Sequence, residues 1–195
     1  PEVRSAVQMV RKAHQPVTGV SERGVSYSAN QPPLAAWVQN TLTDSFLEAH
    51  QTFCRPLEQN EADQFVQEQS KIGALLGVVE LPQTAADLRS WIVDHPDLAE
   101  SQALHQAWDF LRNPPLNTGQ LLGYKILRSA AVATLPQDFN QLTNASSSRR
   151  AVFAGRRLIG SLRWAMKYSP AWKAALDRCG ATYDQSKFRS FEDKP

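Results

Sequence analysis

Twelve prolines constrain this chain more than any other feature, because they cut it into pieces of helical length. Proline lacks a backbone N–H and disfavours helical geometry in the residue before it, so it opens helices or stops them. Between these breaks, apolar residues recur at spacings of three and four, the period of a one-sided helix. Residues 2–14 place Val3, Ala6, Val7, Val10 and Ala13 on one face, and Pro16 predicts an end near His14. Pro33 predicts a helix to Phe53, with Leu34, Val38, Leu42, Phe46 and Ala49 as its apolar stripe.

The same logic carries on downstream. Asn60 reads as the N-cap of a helix that closes at Gly77. Thr84 with Asp87 makes a capping pattern for a helix to His95, stopped by Pro96. Residues 97–112 read as a helix with Leu98, Leu104, Trp108 and Leu111 inward, and 119–135 as a buried helix ending at Pro136. Helices over 147–167 and 170–179 follow the "TNASSS" linker, with Ser169 and Pro170 as cap and first-turn proline of the second. Gly19–Pro33 reads as a loop. No segment alternates as a half-buried strand would, and no repeat is present. The expected fold is all-α: one irregular multi-helix domain over 1–180, without significant sheet, and a polar tail over 181–195.

Composition narrows the function. Charged residues make up 21% of the chain and apolar ones 42%, a globular balance, and the net charge of +2 gives nucleic acid no overall attraction. Charge is nevertheless segregated. Ten acidic residues lie between Glu58 and Asp109 against Lys71 and Arg89, and eight basic ones between Arg149 and Arg178 against Asp177 alone. Such runs are ordinarily solvated helix faces, and a basic one can also meet an anionic surface. Cys54 and Cys179 lack metal-ligand spacing and fit a reducing, cytoplasmic setting. No apolar run is long enough to span a bilayer. The sequence contains no phosphate-binding glycine loop, no HExxH, no CxxC and no GxSxG.

Four histidines remain. His95 and His105 read as surface or helix-end residues, and His50 as a helix-end residue near Glu48. His14 sits in a last helical turn, where the macrodipole favours a cationic imidazole. Arg11, one turn earlier, shares its face. A haem needs an axial ligand, often histidine, and cations near its propionates, so this RxxH spacing can also serve iron. The spacing leaves both readings open.

The wording of the sequence says more. "VRKAHQPVTG" and "YSANQPPLAAWVQNTLTDSFLEAHQTF" resemble the MpaB and latex-clearing-protein family of helical haem oxygenases. The positions that carry the resemblance are Arg11, His14 and Val17, then Tyr27, Ala29 and Asn30, then Trp37, Val38, Thr41, Leu42, Asp44, Ser45 and Phe46. "NEADQFVQE", "LLGVVELPQTAADLRSWI" and "LRWAMKYSPAWKAAL" extend it to about residue 178. The resemblance implies haem b as cofactor, His14 as the iron ligand and Arg11 as a propionate or haem-edge partner. It implies dioxygen and an apolar, isoprenoid substrate whose double bond is cleaved. Asn40, Thr41 and Asp44, on the polar face of the second helix, read either as outer supports of His14 or, the more ordinary role, as groups that hydrogen-bond and pack within the helices. Many relatives carry histidine where Gln39 stands. The family also has a further helical region before the RxxH helix, so the resemblance implies an N-terminally shortened member with an incomplete haem pocket. A different reading is a non-catalytic helical protein that binds an apolar ligand, or an anionic membrane through 149–173.

Overall fold

A computed structural model describes residues 2–136, 139, 148–166 and 170–180. Eight helices and one two-stranded antiparallel hairpin make up these residues. In chain order they are α1 (Glu2–His14), β1 (Thr18–Val20), β2 (Ser26–Ser28), α2 (Pro32–Phe53), α3 (Gln59–Leu76), α4 (Ala85–Val93), α5 (Gln102–Arg112), α6 (Thr118–Val132), α7 (Arg149–Met166) and α8 (Pro170–Cys179). Mostly helical architecture is thus as expected, and the hairpin is an addition to the predicted loop. Gly24, at φ 75°, makes the turn between its strands. The Ser169 cap and the 181–195 tail lie outside the described residues.

Two compact units divide at residues 156 and 157, inside α7. In the first, α2, α3 and α4 enclose a small core of Leu47, Ala62, Val66, Leu88 and Ile92. Trp37, Leu57, Phe65, Ala85 and Trp91 pack around it. Polar groups stitch its edges. Trp91 Nε1 donates to Glu80 Oε2 at 2.9 Å, and Ser70 Oγ donates to the Pro82 carbonyl at 2.8 Å. The second unit contains the end of α7 and α8, whose Lys173 and Asp177 pair at 2.9 Å one turn apart. Both side chains of that pair are mostly exposed, so it adds little stability.

Three helix boundaries differ from those read in the sequence. Helix α3 begins after Glu58 rather than Asn60, because Glu61 Oε2 accepts from the Glu58 N–H at 3.0 Å. It ends at Gly77, in the left-handed region at φ 87°, as its sequence predicts. Thr84 caps α4 through the Asp87 N–H at 3.0 Å, yet the helix stops at Val93, two residues short of His95. The start of α5 falls at Gln102 rather than at residue 97. Ser101 caps it, and the hairpin residue Glu22 accepts from the Gln102 and Ala103 N–H groups. A carboxylate at that end also suits the helix dipole.

Two packing expectations are corrected. Helix α6 was expected to be buried, but Ala130 is its one buried residue and Leu122 is 68% exposed. Leu111 of α5, expected inward, is also exposed. Among the described residues, both helices keep apolar side chains exposed.

Candidate functional site

The last turn of α1 carries Arg11, Lys12 and His14. His14 is exposed, and its imidazole makes no hydrogen bond to a described residue. Its carbonyl accepts from the Val17 N–H at 3.0 Å, which bends the chain into β1. Arg11 points to a different neighbour. A Cβ added at Gly77 would lie 2.7 Å from Arg11 Nη2, so the guanidinium covers the C-terminal end of α3. Unpaired carbonyls and the negative end of the dipole gather there, which explains its place. Asn30 Nδ2 donates to the Arg11 carbonyl at 3.0 Å and ties α1 to the entrance of α2.

Helix α2 is oriented opposite to the reading of its sequence. Its buried residues are Ala36, Asn40, Thr43 and Leu47. Val38 and Leu42 are each 49% exposed and Phe46 60%. At about 100° per residue, this apolar stripe lies about 130° around the helix from the buried face. Polar side chains fill the inner face because each finds a partner. Asn40 Nδ2 donates to the Glu80 carbonyl at 3.1 Å, and Thr43 Oγ1 donates to the Gln39 carbonyl at 2.8 Å. Gln39 Nε2 donates to the Gln69 carbonyl at 3.1 Å, clasping α3. A buried polar group so satisfied costs little, which allows this orientation.

The other polar residues of α2 have similar duties. Thr41 Oγ1 donates to the Trp37 carbonyl at 2.8 Å. Arg89 of α4 bridges Asp44 at 3.3 Å and Glu48 at 3.0 Å. Burial raises the Asp44 carboxyl above its ordinary range, Arg89 opposes that rise and Glu48 adds to it. Asn40, Thr41 and Asp44 therefore bond within α2 or to its neighbours, and none bonds to His14.

Beside Phe46 the surface forms an open concavity of about 460 Å³. Leu47, His50, Leu57, Phe65 and the Arg55–Glu61 pair line it. Arg55 grips Glu61 with both terminal nitrogens, at 2.8 and 2.7 Å. That grip, with the Glu58 N–H and the nearby His50, holds the Glu61 carboxyl down at about 2. No local motif in the sequence marks this concavity. Its walls come from two helices and a connecting turn, and only the spacing of residues 46, 50, 57 and 65 on adjacent faces hints at it.

No group of three His, Cys, Asp or Glu side chains suited to a metal ion occurs among the described residues. A haem asks for a different set: one free imidazole, an apolar wall and cations for its carboxylates. His14 supplies the first, the α2 stripe the second, and Arg11 and Lys12 the third. In kind, these residues fit a haem. The bond between Asn30 and Arg11 brings the histidine turn to the start of α2, while no described bond joins His14 to the stripe.

The family described as "ER-bound oxygenase mpaB/B'/Rubber oxygenase, catalytic domain" matches residues 1–164. No curated protein and no solved structure gives a significant match.

Proposed function

The chain belongs to the mpaB and rubber oxygenase catalytic-domain family, and from that premise we propose that it is a haem b-dependent oxygenase with His14 as the iron ligand. The family is one of oxygenases, which implies dioxygen and an organic substrate. The proposed substrate is apolar and isoprenoid, oxidised or cleaved at a double bond. The observation that carries this reading is the α2 stripe: Val38, Leu42 and Phe46 face outward while Asn40 and Thr43 are buried. Leaving three large apolar side chains in water is unfavourable by about 25 cal/mol per Å². An apolar ligand laid along the stripe relieves that cost.

When bound, haem supplies the redox chemistry with dioxygen, and the protein supplies position and environment. His14 holds the group from α1, on a turn fixed by the bond between Asn30 and Arg11. Arg11 or Lys12 offers a cation to its carboxylates, Arg11 by leaving the end of α3. The α2 stripe excludes water from the apolar portion of haem or substrate. The free thiols Cys54 and Cys179 fit the proposed reducing, cytoplasmic setting. No described helix is long and apolar enough to cross a membrane.

Reconstitution with haem tests the assignment. The wild-type chain is expected to show a Soret band shifted from that of free haem, and His14→Ala is expected to lose the shift. His14 is exposed, so the variant should keep its far-ultraviolet circular dichroism. An unchanged Soret band in the variant would remove His14 as ligand.

A further inference from the structure

We infer that the junction of α5, α6 and the start of α7 is an anion site, which binds the phosphate group of a small soluble ligand. The inference is independent of the oxygenase reading. Trp108 and Arg112 of α5, Arg128 and Val132 of α6, and Ser148 and Ala151 at the start of α7 line a cavity of about 340 Å³ there. All six belong to the first compact unit. The volume falls in the range of small-ligand pockets, about 300–1,000 Å³. Arg112 and Ser148 are exposed, so a ligand can enter from solvent.

Residue order and packing gather the cations. Trp108 and Arg112 are one turn apart, as are Arg128 and Val132, so each pair shares a helix face. The Arg112 guanidinium lies 5.7 Å from the Trp108 ring centroid. Arg128 Nη1 donates to the Arg112 carbonyl at 3.3 Å, which brings the second cation to the same end of α5. Each guanidinium is a fork of several donors, so that bond leaves others for a ligand. Among the described residues no carboxylate lines the cavity. Asp109 stands 3.9 Å from Arg112 Nη1, but its side chain is 72% exposed, and water screens so loose a pair.

Two further features call for an acceptor. Trp108 Nε1 is buried and has no hydrogen-bond partner among the described residues. A buried donor without a partner is costly, and native structures ordinarily supply one. Ser148 stands just before α7, where its Oγ accepts from the Arg150 N–H at 3.3 Å, and its hydroxyl can donate as well. The N-terminal end of α7 adds the positive end of a helix dipole. Guanidiniums, an indole N–H and a helix N-terminus are all donors or positive, so the site selects an oxyanion over a cation or a neutral molecule. A phosphate group takes several such donors at once, and Val132 and Ala151 offer a small organic group an apolar side.

Nuclear magnetic resonance of the full chain, with its tryptophans labelled at the indole nitrogen, tests it. The chain has five tryptophans, so five indole N–H signals report at once, and Trp108→Phe identifies the one from Trp108. At fixed ionic strength, inorganic phosphate is expected to move the Trp108 signal downfield and saturably, as an N–H that gains an acceptor does, and to leave the others in place. Phenyl phosphate should saturate the same signal at about tenfold lower concentration, and acetate at about tenfold higher. Arg112→Gln and Arg128→Gln should each weaken phosphate binding about tenfold, and Arg4→Gln should not alter it. Arg112 is exposed, so its variant should fold, and circular dichroism checks that. A Trp108 signal that phosphate does not move, or tryptophan signals that all drift together without saturating, overturns the inference. So does acetate that binds as tightly as phosphate, phenyl phosphate that binds no more tightly, or a folded Arg112→Gln variant with unaltered binding.

Discussion

Replacing Gly155 with alanine tests how α7 is seated. The added methyl would stand 2.5 Å from the Ala130 Cβ, far inside contact distance, and 3.1 Å from Phe53 Cε1. Ala130 is buried at 1% exposure, so it has little room to yield. Overpacking of this kind costs about 1–3 kcal/mol, whereas replacing glycine within a helix returns about 1 kcal/mol. The net expectation for Gly155→Ala is a loss of roughly 0–2 kcal/mol. A single variant cannot separate the two effects, but a cycle with Ala130→Gly can. That second change costs about 1 kcal/mol in helix propensity and about 0.8 kcal/mol for the lost methyl. In the double variant the methyl has moved across the interface and the collision is gone. Urea unfolding of all four proteins should therefore show the double variant more stable than the sum of the singles, by about 1–3 kcal/mol. Additivity within about 0.3 kcal/mol would refute the close crossing of α7 and α6.

Other expectations concern the α2–α3 region. Leu42→Gln and Phe46→Gln should each cost no more than about 1–2 kcal/mol, because only about half of each side chain is covered. Both should reduce haem retention, read as Soret absorbance after gel filtration; a large stability loss would mean that the stripe is covered within the chain. The Glu61 carboxyl, held down from 4.5 to about 2, should stabilise the fold fully above about pH 4.5 and progressively less as pH falls toward 2. Urea midpoints of Glu61→Gln should accordingly lack that acid-side decline. Asp44 has the opposite sign: its raised pKa means that protonation favours the folded state, so acidification through its folded pKa adds stability.

Much of the chain's punctuation was legible in advance. Gly77 closes α3 because glycine takes a positive φ at little cost, and Thr84 caps α4 through a bond to its own third residue on. These are local interactions, so their signals lie within a few residues. The start of α5 was not legible, since Glu22 reaches it from eighty residues away. For the site, the three-residue spacing of Arg11 and His14 makes them neighbours on one face, but the packing of Arg11 on Gly77 depends on where α3 ends in space.

Helical periodicity shows that α2 and α7 each have two unlike faces, and that much follows from residue order, because side chains three and four apart must meet. Which face turns inward is a tertiary matter. On α2 the polar face went in because Glu80 and Gln69 offered carbonyls to Asn40 and Gln39. On α7 the side with Gly155 went in because only a residue without a Cβ admits Ala130 and Phe53 so closely. Satisfied hydrogen bonds and steric fit between distant segments decided both orientations, and left Phe46, Phe153 and Trp164 facing out.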